Sequence, residues 1–234
     1  MVSFKALGER ALRPVPAFAA RAAEAPALGG SLRDLVLLRA PVALVASALL
    51  WVRLADLAAA LRSPDSALWR QVLEILPTAP DPGELAEALA RIPALPSLGS
   101  ALPWLALLAP LGVLGLWLHH ATLDHLGLMI LGGARRGGWR ATLSAEAEAL
   151  QVGVLGALLA LPGHVPGAPW WLSLLLVPAA VYFWLLRGAA LAAWHGCPLW
   201  KGLAATVLNP VLAGLLLLLA MLPALLVLGV ALAS

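Results

Sequence analysis

Long runs of Leu, Ala and Val dominate the chain, and short basic or proline-containing segments separate them. Five of these runs are long enough to cross a bilayer, because about 20 apolar residues in a helix span a hydrocarbon core of roughly 30 Å. Strand-like alternation is scarce, and a backbone in lipid must satisfy its own hydrogen bonds. The predicted fold class is therefore an all-α integral membrane protein with five transmembrane helices, at about 35–54, 101–131, 144–161, 170–191 and 203–233.

Two polar segments lie outside these predicted spans. Residues 1–34 carry five Lys or Arg and no long apolar core, so we interpret them as a cytoplasmic amphipathic segment rather than a cleavable signal peptide. The apolar side chains that would lie on the membrane surface are Phe4, Leu7, Leu12 and Phe18. The loop 55–98 is too short for a core of its own, and its spacing predicts two short amphipathic helices. Residues 35–234 then form one five-span membrane domain.

Composition supports a membrane location and excludes other classes. The chain is 62% hydrophobic and 12% charged, whereas soluble domains are about 45–50% apolar and about 25% charged. The chain has 15 Lys and Arg and 12 Asp and Glu. The basic residues flank apolar runs and do not alternate with exposed aromatic side chains, so no nucleic-acid partner is expected. The lone Cys197 allows no internal disulfide.

The distribution of basic residues predicts the orientation. Basic residues are frequent in the N-terminal segment and in two short turns, and the loop 55–98 is net acidic. The positive-inside rule then places the N-terminus in the cytoplasm and the C-terminus outside. Arg135, Arg136 and Arg140 form a cytoplasmic basic turn in this interpretation.

A shift of 61 residues superposes several matching positions. Gly127, Trp139 and Pro162 fall on Gly188, Trp200 and Pro223, as if one helical hairpin occurred twice. A duplication predicts that Trp139 and Trp200 lie at the same end of the bundle. Chance matching between Leu-rich segments is the alternative.

Four short motifs carry a resemblance to a known family. They are His-Leu-Gly-Leu-Met-Ile-Leu-Gly-Gly at 125–133, Trp-Arg-Ala-Thr-Leu at 139–143, Leu-Pro-Gly at 161–163, and Leu-Arg-Gly, Trp-His-Gly and Trp-Lys-Gly-Leu-Ala within 186–204. Over roughly residues 110–225 the chain resembles the bacterial branch of the Yip family (Ypt-interacting protein). The resemblance implies a multi-pass inner-membrane protein that organises membranes through lipids and a membrane-protein partner or a second copy of the chain. The Asp-Leu-Tyr-Gly-Pro-like motif of eukaryotic members is absent, so a Rab-type GTPase partner is not expected.

A polar cluster of His119, His120, Asp124 and His125 lies inside the second predicted span. At about 100° per residue, His120 and Asp124 share a helix face while the other two point elsewhere, so one helix cannot bring all four to one ion. The simplest interpretation is a hydrogen bond between His120 and Asp124. Proton or ion handling, and a transition-metal site completed by Glu146, Glu148 or His195, are the alternatives. No metal or other cofactor is assigned.

Other charged residues are given structural roles. Glu146 and Glu148 are predicted to pair with Arg135, Arg136 or Arg140, and Arg187 to reach the cytoplasmic interface. Ser144 and Ser173 have no recognisable base partner, and no Gly-rich phosphate loop occurs, so no enzyme is predicted. The favoured function is a membrane-organising scaffold. A small transporter or channel that uses the polar groups of span two is the alternative.

Overall fold

A computed structural model describes residues 4–63, 93–134 and 137–233, together with positions 66, 67, 71, 83, 87 and 91. Throughout these residues the elements are helices: α1 (Phe4–Leu12), α2 (Pro14–Ala23), α3 (Leu28–Arg62), α4 (Leu98–Ile130), α5 (Gly138–Val152), α6 (Val154–Ala160), α7 (Leu176–His195) and α8 (Leu199–Ala233). Two short 3-10 helices, Leu161–His164 and Trp170–Leu175, connect α6 to α7. Within the described ranges no strand occurs.

Four of these helices, α3, α4, α7 and α8, are long and apolar enough to cross a membrane. The segments Gly138–Val152 and Val154–His164 pass the same test together, with a bend of 41° between them, and would make a fifth span. The predicted all-α membrane fold is therefore confirmed.

The helices extend beyond several of the predicted boundaries. Helix α3 begins at Leu28 and ends at Arg62, so the predicted division after residue 34 falls inside it. Hydropathy locates the stretch that lies in lipid, whereas a helix can continue into polar surroundings without losing backbone hydrogen bonds. Nearly all of the two short helices predicted between residues 63 and 92 lies outside the described residues.

Helix α5 is the centre of the bundle. Its residues from Glu146 to Leu150 are completely buried, and α1, α3, α4 and α7 all pack against it. Ala147 and Ala149 in this stretch, and the buried Ala145 just before it, have small side chains that let other helices approach closely. A helix buried on every side must also satisfy every polar side chain it carries.

The N-terminal helices pack into the bundle. Leu7 and Phe18 are buried in the same apolar core as Leu128 and Leu186, and the Phe18 ring meets the Trp194 ring edge-on at 6.3 Å. The expectation that this segment lies on the membrane surface through four apolar side chains is thus wrong for these two residues. We call residues 4–23 the N-terminal arm.

The turns after α4 and α7 have the same construction. Gly132 and Gly196 both adopt a left-handed conformation, with φ of 62° and 59°. Around each glycine two backbone N–H groups bond back into the helix, for example Gly133 N to Leu128 O at 2.7 Å and Cys197 N to Ala192 O at 3.1 Å. This is the Schellman arrangement, for which glycine is favoured because it has no Cβ.

The two turns lie at one end of the bundle. The Lys201 ammonium, next to Trp200, donates a hydrogen bond to the Gly132 carbonyl at 3.0 Å. Trp139 is at the same end, because its ring lies 5.2 Å from that of His125 at the end of α4. This placement agrees with the expectation from the repeat, and the duplication itself stays a prediction.

The tightest helix contact joins α7 and α8 and predicts a selective effect of glycine substitution. A Cβ on Gly202 would overlap the carbonyl oxygen of Gly188 and lie 3.1 Å from Ala192 N, whereas a Cβ on Gly214 of the same helix meets nothing within 4 Å. We expect Gly202→Ala to destabilise the protein by about 1–3 kcal/mol and Gly214→Ala to have little effect. Thermal unfolding in detergent, followed by tryptophan fluorescence, measures both, and equal midpoints would contradict this close packing.

Candidate functional site

Arg187 occupies the interior of the bundle. Its side chain on α7 is 2% exposed, and its guanidinium binds two carboxylates, Asp124 Oδ2 at 2.6 Å and Glu146 Oε2 at 3.1 Å. The prediction that Arg187 reaches the cytoplasmic interface is therefore wrong. A buried arginine is retained where carboxylates on facing helices complete its hydrogen bonds.

Asn209 adds a fourth helix to this group. Its side-chain amide on α8 donates to Asp124 Oδ1 at 2.6 Å, so Asp124 accepts one hydrogen bond at each oxygen. We call Asp124, Glu146, Arg187 and Asn209 the ionic cluster. It joins α4, α5, α7 and α8 through charge-assisted bonds in surroundings from which water is excluded, where each bond is stronger than at a surface.

The predicted polar cluster of the second span does not form. Asp124 faces Arg187, and His120 instead lies edge-on to the rings of His119, at 5.5 Å, and Phe183, at 6.0 Å. No hydrogen bond to His120 Nδ1 occurs within the described part of the chain. The predicted bond between His120 and Asp124 is wrong because a shared helix face does not decide which partner a carboxylate selects, and a guanidinium outcompetes a neutral imidazole.

His125 belongs to a separate group. Its Nδ1 lies 2.8 Å from the Thr142 hydroxyl, which lies 2.9 Å from Nε2 of His195. A hydroxyl carries one hydrogen, so Thr142 donates to one imidazole and accepts from the other. Of the four predicted residues, only Asp124 contributes to the ionic cluster.

Glu148 binds the N-terminal arm. Its carboxylate accepts hydrogen bonds from Arg10, from Arg21 at 3.2 Å and from the Ser31 hydroxyl at 2.6 Å. Gln151, one turn further along α5, donates to the Ser31 carbonyl at 2.9 Å. Burial lowers the pKa of the Arg10 guanidinium, and the Glu148 carboxylate opposes that shift. We call Arg10, Arg21, Ser31, Glu148 and Gln151 the arm cluster.

The predicted pairing of Glu146 and Glu148 with the basic turn is wrong for Arg140, the residue of that trio that the structure describes. Arg140 is exposed at the start of α5 and makes no ion pair with either glutamate, and Arg135 and Arg136 lie outside the described residues. Glu146 and Glu148 are two residues apart, so they project about 200° from each other around α5. Glu146 therefore points to α7, and Glu148 points to the arm.

The arm cluster was missed because its members are far apart in sequence. Arg10 and Glu148 are separated by 138 residues, and no periodicity relates them. The sequence did contain one signal: Glu146 and Glu148 lie in an otherwise Ala-rich helix, at a spacing that puts them on opposite faces of it. Such a helix needs polar partners on two sides if it is buried.

The ionic cluster holds an excess of acidic groups. Two carboxylates, Asp124 and Glu146, share the single guanidinium of Arg187. With all three ionised the group would carry a net negative charge in a medium of low dielectric constant, which is costly. The arrangement can therefore hold one proton between the carboxylates. No three His, Cys, Asp or Glu side chains are placed to hold a metal ion in the part of the chain that the structure describes.

Comparison of the chain with protein-family models, with curated proteins and with solved structures finds no match. The resemblance to the Yip family stays a prediction.

The ionic cluster predicts a large cost for removing its cation. Arg187→Met would leave Asp124 and Glu146 buried without a counter-charge, and we expect a loss of about 3–5 kcal/mol in stability. The matched control is Arg33→Met, because Arg33 pairs with Asp34 at the surface and such pairs contribute about 0–1 kcal/mol. Unfolding midpoints of the two purified variants decide, and equal small losses would contradict a structural role for the cluster.

The arm cluster predicts a local effect. Glu148→Met should release the arm, since hydrogen bonds to charged groups contribute about 1.5–3 kcal/mol each. Amide hydrogen exchange in residues 4–23 should become at least about tenfold faster, while exchange in α8 stays unchanged. Glu24→Met, which removes the exposed partner of Arg21, is the control and should leave the arm protected. Unchanged exchange in Glu148→Met would show that apolar contacts alone hold the arm.

Proposed function

We propose that this multi-pass membrane protein is a membrane-organising scaffold that acts through lipids and through a membrane-protein partner or a second copy of the chain. The observation that carries the proposal is the contrast between its interior and its outer surface. The polar side chains of the ionic cluster are bound to one another, and the surfaces of the spans are apolar and open.

The interior charges have a structural explanation. Arg187 has two carboxylate partners, and Asp124 has a hydrogen bond at each oxygen. A group that solvates a moving ion must instead keep bonding capacity for it, and within the described cluster only Glu146 Oε1 is buried without a hydrogen-bond partner. A cavity of about 590 Å³ lies between α1, α5, α6 and α7 and is lined by no carboxylate.

The outer surface has room for lateral contacts. Only 6% of the most apolar window of α3 and 17% of that of α8 is buried inside the molecule. Leu215 to Leu219 are consecutive residues that go once around α8, and all are at least half exposed. Apolar faces of this extent contact lipid or another transmembrane helix, and helix packing in lipid requires no polar group.

The predicted orientation and location complete the proposal. The basic residues favour a cytoplasmic N-terminus, which would put the arm, the turns after α4 and α7, and Trp139 and Trp200 at the inner face of the membrane. We propose no enzymatic activity. The Yip resemblance supports the same role.

Transport of a proton or small ion is the second candidate. It is favoured by the two carboxylates that share one guanidinium, and by the 41° bend between α5 and α6, since broken helices mark binding sites in many transporters. In that function Glu146 would be the group that exchanges the proton.

Proteoliposomes and crosslinking distinguish the two functions. We expect no proton flux above that of protein-free liposomes across an imposed pH gradient. A photo-crosslinking residue at Leu217, which is 63% exposed, should form adducts with lipid or protein in native membranes, whereas one at the buried Leu191 should not. Proton flux that Glu146→Gln abolishes would replace the scaffold proposal with the transport function.

A further inference from the structure

Arg39, which is half-buried, differs from the fully buried charges of the spans. It is the twelfth residue of α3, about 16 Å along that helix. Asp124, Glu146 and Arg187 are paired with one another, and Glu148 is paired with Arg10. Among the described residues no carboxylate pairs with Arg39, and its Nη1 is buried without a hydrogen-bond partner.

Phe183 separates Arg39 from the ionic cluster. Its ring lies 5.9 Å from the Arg39 guanidinium and 5.4 Å from that of Arg187, so one phenyl ring lies beside two cations. Such contacts are attractive but supply no negative charge. The carboxylates of Asp124 and Glu146 are bound to Arg187.

Arg39 lines a cavity. The space has a volume of about 210 Å³ and lies between α3, α4 and α6. One water molecule needs about 10–15 Å³ of cavity volume, so the cavity has room for a small organic molecule. His164 contributes a second polar group, and the remaining wall is small or aliphatic: Val42, Ala43, Ala46, Gly112, Val113, Leu116, Ala157 and Ala160.

The chemistry of these walls selects a type of ligand. A guanidinium in a medium of low dielectric constant is stabilised by an anion, and its planar fork matches the two oxygens of a carboxylate. One cation balances one negative charge. Val42, Val113 and Leu116 offer a surface for a short alkyl chain, and an imidazole N–H of His164 can donate a further hydrogen bond.

We propose that this cavity is a binding site for a short-chain monocarboxylate, with Arg39 bound to the carboxylate and the aliphatic walls around the chain. The site does not depend on the scaffold role, because a carboxylate could be bound as a structural ligand, a signal or a cargo. Failure of one proposal leaves the other intact.

The test measures ligand-induced stabilisation of the full chain in nanodiscs of zwitterionic lipid. Sodium butyrate should raise the unfolding midpoint saturably by a few degrees, because a ligand that binds only the folded state stabilises it. Butyramide, which has the same shape without the charge, and sodium chloride at equal concentration should not. Arg39→Gln should abolish the shift. Arg62→Gln on the same helix, whose native side chain bonds to the Ala58 carbonyl at 3.0 Å, should keep it.

A second variant covers the case in which Arg39→Gln does not fold. Ala157→Leu keeps the cation and fills the cavity, so it should lose the butyrate response while remaining folded. The proposal is overturned if butyrate has no effect on the unmodified protein, or if butyramide or chloride matches it. A full response in Arg39→Gln or in Ala157→Leu would overturn it as well.

Discussion

A fully buried charge in a membrane bundle is costly without a counter-charge, and the packing of four helices around Arg187 follows from that constraint. Arg187 brings Asp124 and Glu146 within hydrogen-bond distance, and Asn209 completes the group from α8. Because each residue stands on a different helix, the helices cannot slide or rotate without separating a charged pair. Apolar packing in lipid gives little preference between rotations, so these polar contacts fix which faces meet.

Small residues make those contacts possible. Gly188 and Gly202 bring α7 and α8 together just beyond Arg187, and the alanines of α5 let three spans approach one helix. Gly153 plays a related part at the bend, because a Cβ there would lie 2.6 Å from the Phe183 ring. The ring can therefore occupy the position between Arg39 and Arg187.

The sequence predicted what depends on local pattern. Hydropathy located the four long apolar helices and the bent pair α5 and α6, and basic residues marked the turns after α4 and α7, which proved to have the same construction. The partners of the charged residues could not be predicted, because Arg187 meets Asp124 across 63 residues and a helical wheel describes one helix at a time. That limitation explains three errors: the bond between His120 and Asp124, the interfacial position of Arg187, and the pairing of Glu146 and Glu148 with the basic turn.

The docked arm has a consequence for the order of synthesis. Arg10 leaves the ribosome 138 residues before its partner Glu148, an interval of about 7–28 s at about 5–20 residues per second. During this interval Leu7 and Phe18 have no complete protein core to enter, because the core that buries them includes residues of α5 and α7. The two helices that are made first can therefore pack into the bundle only after helices that are made much later.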